Sequence, residues 1–238
     1  LTTQDIADDW LVIFDCDGVL VDSEPIALSV LGEMLADEGI ALDAEALSQR
    51  FLGRSLSAMT SVIREEFGVD LDDEFPDRMR KRLFVRFEHE LKPIHEIAQT
   101  LDALKGGGFS FCVASSSQPE RIAKSLTVTG LIERFAPHIF SATMVENGKP
   151  APDLFLHAAT SMGFSPDHCI VIEDSPAGVM AAQAAHMNVF AFSGGSHTDY
   201  DAYRVEMEGL EPDVRFDAMG DLLQLVDRVR RSKDSIDA

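Results

Sequence analysis

Asp15 and Asp17 follow directly on an apolar run, Leu11-Val12-Ile13-Phe14, with only Cys16 between them. The run is short and rich in strand formers, which predicts a buried strand and not an amphipathic helix. Gly18 then permits a sharp turn. A carboxylate at a buried strand end is costly, and two like charges so close repel each other. A bound cation or a proton relieves both problems. A hard, oxygen-seeking ion such as Mg2+ suits the pair, because carboxylates are its usual protein ligands. A DxD pair can equally sit in a solvated turn, so its meaning depends on what the rest of the chain brings to it.

Three further groups lie where a chain of this pattern gathers polar residues. Ser115-Ser116-Ser117 follows the strand-like FSFCVA, 109–114. Glu173-Asp174 follows HCIVI, 168–172, and a Glu-Asp pair that ends an apolar strand is harder to read as a solvated turn. Lys149 lies in the loop from Glu146 to Pro152. Pro150 and Pro152 stiffen that loop and limit the conformations it loses on binding. The plain reading of Ser115 is a helix cap. For Lys149 it is a surface charge.

The elements that must position these groups alternate. Strands are expected at about 10–16, 109–114, 139–141, 168–172, 188–192 and 214–216. Helices are expected at 95–105, 119–129, 153–163, 176–186 and 218–231. Alternating strands and helices imply a doubly wound, parallel α/β sheet with helices on both faces, whose ligands bind beyond the carboxyl ends of the strands. That rule collects Asp15, Asp17, Ser115, Glu173 and Asp174 at one rim, with Lys149 near it. Between the first two strands the period changes. Ser23 stands where it can cap a helix and Pro25 fits its first turn. Ile26, Val30, Leu31, Met34 and Leu35 then recur at helical spacing, and three more helical stretches follow, ending near Leu91. The expected organisation is a core of residues 10–21 and 92–232, with a small all-helical insert at 22–91.

The 238 residues suffice for a sizeable core, and 45% hydrophobic with 26% charged residues is ordinary globular composition. Twenty basic against 41 acidic side chains give a net charge of −21. This argues against a nucleic-acid footprint or a polybasic membrane surface, and requires any phosphate site to be locally positive. Cys16, Cys112 and Cys169 lie in apolar runs without metal-ligand spacing, which reads as buried free thiols in a reducing cytosol. No apolar run approaches the roughly 20 residues needed to span a bilayer. Residues 1–9 look like a loose acidic lead-in.

DCDGVLVDSE at 15–24, VASSS at 113–117, Lys149 in GKPAPDLF and IEDSPAG at 172–178 occur in one order and together cover most of the chain. In these motifs the chain resembles the haloacid dehalogenase superfamily, in the branch with a helical cap after the first strand, which includes beta-phosphoglucomutases and sugar-phosphate phosphatases. The resemblance implies a Rossmann-like core and a helical cap. It implies that Asp15 is a nucleophile forming an aspartyl phosphate and that Asp17 is the general acid and base. Like charge nearby is expected to help Asp17 hold its proton. It further implies that Ser115 donates to a phosphate oxygen, with help from the Ser116 backbone, and that Lys149 neutralises phosphoryl charge. Mg2+ is expected on Asp15, Asp17 (through its backbone carbonyl), Asp174 and Glu173, the last either a ligand or a holder of metal water. Gly53 and Arg54 fall in the cap stretch that faces substrate in the family. His197 is read as an exposed histidine near the rim.

The implied activity is Mg2+-dependent hydrolysis of a small phosphorylated metabolite, a sugar or sugar-acid phosphate, by a cytoplasmic monomer or small homo-oligomer. A beta-phosphoglucomutase-type transfer is the first alternative. Against it, the mutase has a cap histidine where this chain has Ala27, and a cap-loop arginine where it has Leu56. A receiver-like phosphorylation switch is the alternative from another class. Dehalogenation fits less well because that subgroup lacks the second aspartate. Phosphonate cleavage needs a cap lysine, and 22–80 contains none.

Overall fold

The computed structural model describes residues 10–52, 56–199 and 201–237; the lead-in at 1–9 lies outside them. Six strands form one parallel sheet in the order β3-β2-β1-β4-β5-β6. They are β1 (Leu11–Phe14), β2 (Ser110–Ser115), β3 (Ile139–Ser141), β4 (Cys169–Glu173), β5 (Asn188–Phe192) and β6 (Val214–Phe216). β1 is central, with Phe14 opposite Val113 of β2 on one side and Ile172 of β4 on the other. The chain winds outward from β1 to β3, then returns to the far side of β1 with β4. A crevice therefore opens between β1 and β4 at their carboxyl ends, where such sheets bind ligands.

Side chains alternate across the sheet and build two apolar layers. Val12, Phe14, Val113, Ile170, Ile172 and Phe190 share one layer, and Leu11, Ile13, Ala114, Val171, Val189 and Ala191 the other. All of these are buried, as expected of strands covered on both faces. Cys16, Cys112 and Cys169 are buried free thiols.

Between β1 and β2 the chain forms α1 (Glu24–Asp37), α2 (Ala44–Phe51), α3 (Leu56–Phe67), α4 (Phe75–Glu90) and α5 (Ile97–Gly106). The chain segments that lead into and out of the first four helices pair with each other. Val21 bridges Pro93, Asp22 N–H donates to the Lys92 carbonyl at 3.0 Å, and Ile94 N–H donates to the Leu20 carbonyl at 3.0 Å. This stem sits beside Asp17. Ser23 precedes α1 but its hydroxyl makes no cap hydrogen bond, because it donates to the Asp17 carboxylate instead. An ionised acceptor forms the stronger bond.

The remaining helices are α6 (Pro119–Val128), α7 (Ile132–Phe135), α8 (Asp153–Met162), α9 (Pro176–Ala184), α10 (Asp201–Glu208) and α11 (Leu222–Asp237). α5, α6 and α11 place Leu101, Ile122 and Leu222 in the first layer, while α8 and α9 place Phe155 and Val179 in the second. α7 and α10 carry only short apolar signals and have no counterpart in the sequence reading. Among the described residues no helix is long and apolar enough to cross a membrane.

Candidate active site

Asp15 follows the last residue of β1, and its N–H donates to the Ile172 carbonyl of β4 at 3.0 Å. The strand pairing thus fixes its side chain at the crevice mouth. Lys149 enters from the loop before α8. Its ammonium lies 2.6 Å from Asp15 Oδ1, 2.6 Å from Glu173 Oε1 and 3.0 Å from the Ala114 carbonyl. The Lys149 side chain is only 3% exposed, so the surface-charge reading does not hold. Burial works against its charge, but the Asp15 and Glu173 carboxylates outweigh burial and keep Lys149 protonated. Burial pushes the Asp15 carboxyl well above the usual range. Lys149 pulls it back, while Glu173, Asp174 and Asp17 push it further up.

Glu173 is fully buried. Its Oε2 accepts from the Asp174 and Ser175 N–H groups and from the Ser175 hydroxyl, each at 2.9 Å. With Lys149 on Oε1, Glu173 is an anchor for the lysine and the β4 loop, with little acceptor capacity left for a cation. Gly178 makes room for it, since a Cβ there would fall 1.8 Å from Glu173 Cδ. Asp174 lies on the other side of the crevice against Gly18, whose φ is +84°; a Cβ on Gly18 would fall 1.8 Å from Asp174 Oδ2. Burial raises the Asp174 carboxyl, and His197 offsets part of that rise.

His197 corrects the sequence reading. It is buried, 2% exposed, with Nε2 2.9 Å from Asp174 Oδ2 and its ring edge-on to Tyr203. Burial alone lowers its pKa, but Asp174 outweighs burial and raises it. The neighbouring Ser196 donates from its N–H and hydroxyl to Asp22, at 3.1 and 2.5 Å, which ties the β5 loop to the helical stem.

Asp17 also departs from expectation. The Ser23 hydroxyl and Arg121 Nη2 donate to Oδ1 at 2.5 and 2.8 Å, and the Ser117 hydroxyl donates to Oδ2 at 2.6 Å. Burial pushes the Asp17 carboxyl up, but Arg121, then Ser117 and Ser23, outweigh it and hold it below the usual range. Like charge does not decide this group; its donors do. The side chain is therefore occupied, and only its backbone carbonyl is free of these partners to meet a cation.

Ser115 ends β2, buried beside Ala114, and its Oγ accepts from the Ser117 N–H at 3.1 Å. Ser116 is exposed. Ser117 reaches the acid/base candidate, and Ser141 of β3 holds its carbonyl at 2.7 Å. Arg121, on the first turns of α6, is a site residue the sequence reading missed. Its guanidinium also lies 3.7 Å from Glu24 and 5.9 Å from the Phe87 ring centroid. Gly53 and Arg54 lie outside the described residues.

Residues 11–186 match the family model of haloacid dehalogenase-like hydrolases. The chain belongs to this family. It is 32% identical over 187 residues to 6-phosphogluconate phosphatase of Escherichia coli, covering 78% of this chain and 83% of that protein. It is 30% identical to the Escherichia coli fructose-1-phosphate phosphatase YqaB, covering 74% and 93%. A haloacid dehalogenase-like protein of unknown function from Agrobacterium tumefaciens superposes with TM-score 0.80 at 36% identity, covering 92% of this chain and 97% of that one. A haloacid dehalogenase family hydrolase from Deinococcus radiodurans, solved with bound phosphate and sodium, superposes with TM-score 0.74 at 30% identity, covering 94% and 97%.

The expected family and fold are thus borne out. The donor set also fits the metal expected of this haloacid dehalogenase-like hydrolase. Asp15 Oδ2 and Asp174 Oδ1 are clear of the Lys149 and His197 contacts, which leaves these two oxygens and the Asp17 backbone carbonyl as donors. Asp15 and Asp174 can supply the one or two carboxylates that Mg2+ uses alongside its waters.

Proposed function

We propose that this hydrolase is a Mg2+-dependent phosphatase that cleaves a small sugar or sugar-acid phosphate through an aspartyl phosphate on Asp15. The observation that carries the reading is the Lys149 ammonium, held 2.6 Å from Asp15 Oδ1 by Glu173 at the mouth of the crevice. An anion arriving there meets a fixed positive charge beside a carboxylate whose attack is otherwise opposed by repulsion. Asp15 and Asp174, with the Asp17 backbone carbonyl, would hold the cation. Mg2+, when bound, shields the charge of the transferring phosphoryl group.

The residues divide the work in two steps. Asp15 attacks phosphorus while Asp17 protonates the leaving oxygen. Asp17 then takes a proton from a water that attacks the aspartyl phosphate, releasing inorganic phosphate and Asp15. Ser115 and the Ser116 backbone line the phosphate side at the end of β2. The donors on Asp17 favour its carboxylate form, so it must gain a proton before the first step. The relatives named for 6-phosphogluconate and fructose 1-phosphate support the substrate class. Ala27 on α1 favours hydrolysis over mutase transfer. The hydrolase family match favours turnover over a receiver-like switch.

Phosphate release from sugar phosphates, sugar-acid phosphates and nucleotides, with and without Mg2+, tests this. Metal-dependent release from the sugar or sugar-acid class is expected. Release from nucleotides alone, or unaltered by EDTA, contradicts the reading.

A further inference from the structure

The three donors on Asp17 are not equivalent. Oδ1 accepts from Ser23 and from Arg121, which fills both of its lone-pair positions. Oδ2 accepts only from Ser117 among these partners. A hydroxyl can rotate and turn from donor to acceptor, so Ser117 tolerates either protonation state of Oδ2, as Ser23 would of Oδ1. A guanidinium carries donors only and stays charged. A proton on Oδ1 would face Arg121 with no acceptor to receive it. Arg121 cannot easily withdraw. It springs from α6 of the core, lies over Phe87 of α4 and faces Glu24 of α1 at 3.7 Å, and its Nε is buried.

We propose, building on the phosphatase reading, that Arg121 is a positioning residue that fills Asp17 Oδ1 and so leaves Oδ2 as the oxygen that gives and takes the proton. In the first step a bond forms between an Asp15 oxygen and phosphorus as the bond from phosphorus to the leaving oxygen breaks, and the leaving oxygen gains the proton from the Oδ2–H bond. In the second step Oδ2 takes a proton from the attacking water as the new oxygen–phosphorus bond forms and the Asp15 bond to phosphorus breaks. Throughout, Oδ1 stays an acceptor.

The dependence of the first step on the leaving group tests this. Arg121→Met keeps bulk without a donor. Arg121→Lys keeps a donor-only cation. Arg121→Gln supplies a donor and an acceptor. Each is assayed with Mg2+ for the pre-steady-state burst of leaving-group release, over aryl phosphates from dinitrophenyl to phenyl. A good leaving group needs no acid, so burst rates with dinitrophenyl phosphate should stay within about threefold of wild type. With phenyl phosphate, Arg121→Met and Arg121→Gln should fall by about 10²-fold, the low end of what a positioned acid supplies. Arg121→Lys should retain most of the wild-type slope. A uniform loss across leaving groups would show a merely structural role and overturn the proposal. Equal slopes for Lys and Gln would also overturn it, and that pair decides the matter if the Met variant does not fold. Wild-type enzyme without a burst or turnover would instead defeat the phosphatase reading itself.

Discussion

Lys149 Nζ stands 2.6 Å from Asp15 Oδ1, although 134 positions separate the two residues in the chain. The contact exists because β1 and β4 are neighbours, which sets Glu173 beside Asp15 and gives the ammonium a second carboxylate at 2.6 Å. One cation thus bridges the ends of two central strands, so its loss should be felt in both stability and activity.

Lys149→Met should abolish phosphatase turnover and lower stability by about 3 kcal/mol, toward the lower end for breaking a buried ion pair. The cost stays low in that range because Asp15 can take up a proton. Urea unfolding at neutral pH in EDTA checks the stability. A variant as stable as wild type would mean that the bridge carries no net energy.

Asp17 makes the metal-free protein sensitive to acid in a defined direction. Its folded pKa lies below the unfolded value of about 3.9. The stability it gives is therefore present above that unfolded value and lost as pH falls through the folded pKa. Asp17→Asn should be less stable than wild type at pH 7 in EDTA, and the gap should narrow below about pH 4. Asp15 and Asp174 have the opposite sign, since their folded pKa values are raised. The stability from their protonation is present in acid and lost as pH rises through those values. Urea midpoints from pH 3 to 7 separate the two effects, because a constant gap for Asp17→Asn would contradict the first.

Gly18 is required both by its φ of +84° and by the nearness of Asp174. Gly18→Ala should lower the melting temperature and displace Asp174. Wild-type protein should gain thermal stability on adding Mg2+, by linkage to the folded state. Gly18→Ala and Asp174→Asn should gain little. A full Mg2+ response in Asp174→Asn would remove Asp174 from the cation site.

Much of this was legible in the sequence. The strand-end rule gathered Asp15, Ser115, Glu173 and Asp174 because β1, β2 and β4 are plain apolar runs, and proline-flanked Lys149 stood out by motif. What escaped depends on distances that no run encodes. Arg121 is one arginine in a polar helix start, and only the winding of α6 beside the stem brings it to Asp17. His197 carries no local apolar pattern, yet the turn after β5 buries it against Asp174. Ser23 reads as a helix cap until a charged acceptor competes for its hydroxyl. In the metal-free protein the Asp15 carboxyl is pushed up and that of Asp17 held down. Proximity suggested repulsion, whereas three donors converge on Asp17 and burial dominates at Asp15.

The central claim is covalent transfer to Asp15. Excess enzyme should be mixed with a ³²P-labelled sugar phosphate and Mg2+, quenched in acid within the first turnover, and digested for peptide mapping. Label is expected on the peptide bearing Asp15, removable by hydroxylamine and missing from Asp15→Asn, which should also be folded and inactive. Single-turnover phosphate release without any labelled protein, or unchanged turnover by Asp15→Asn, would contradict the account.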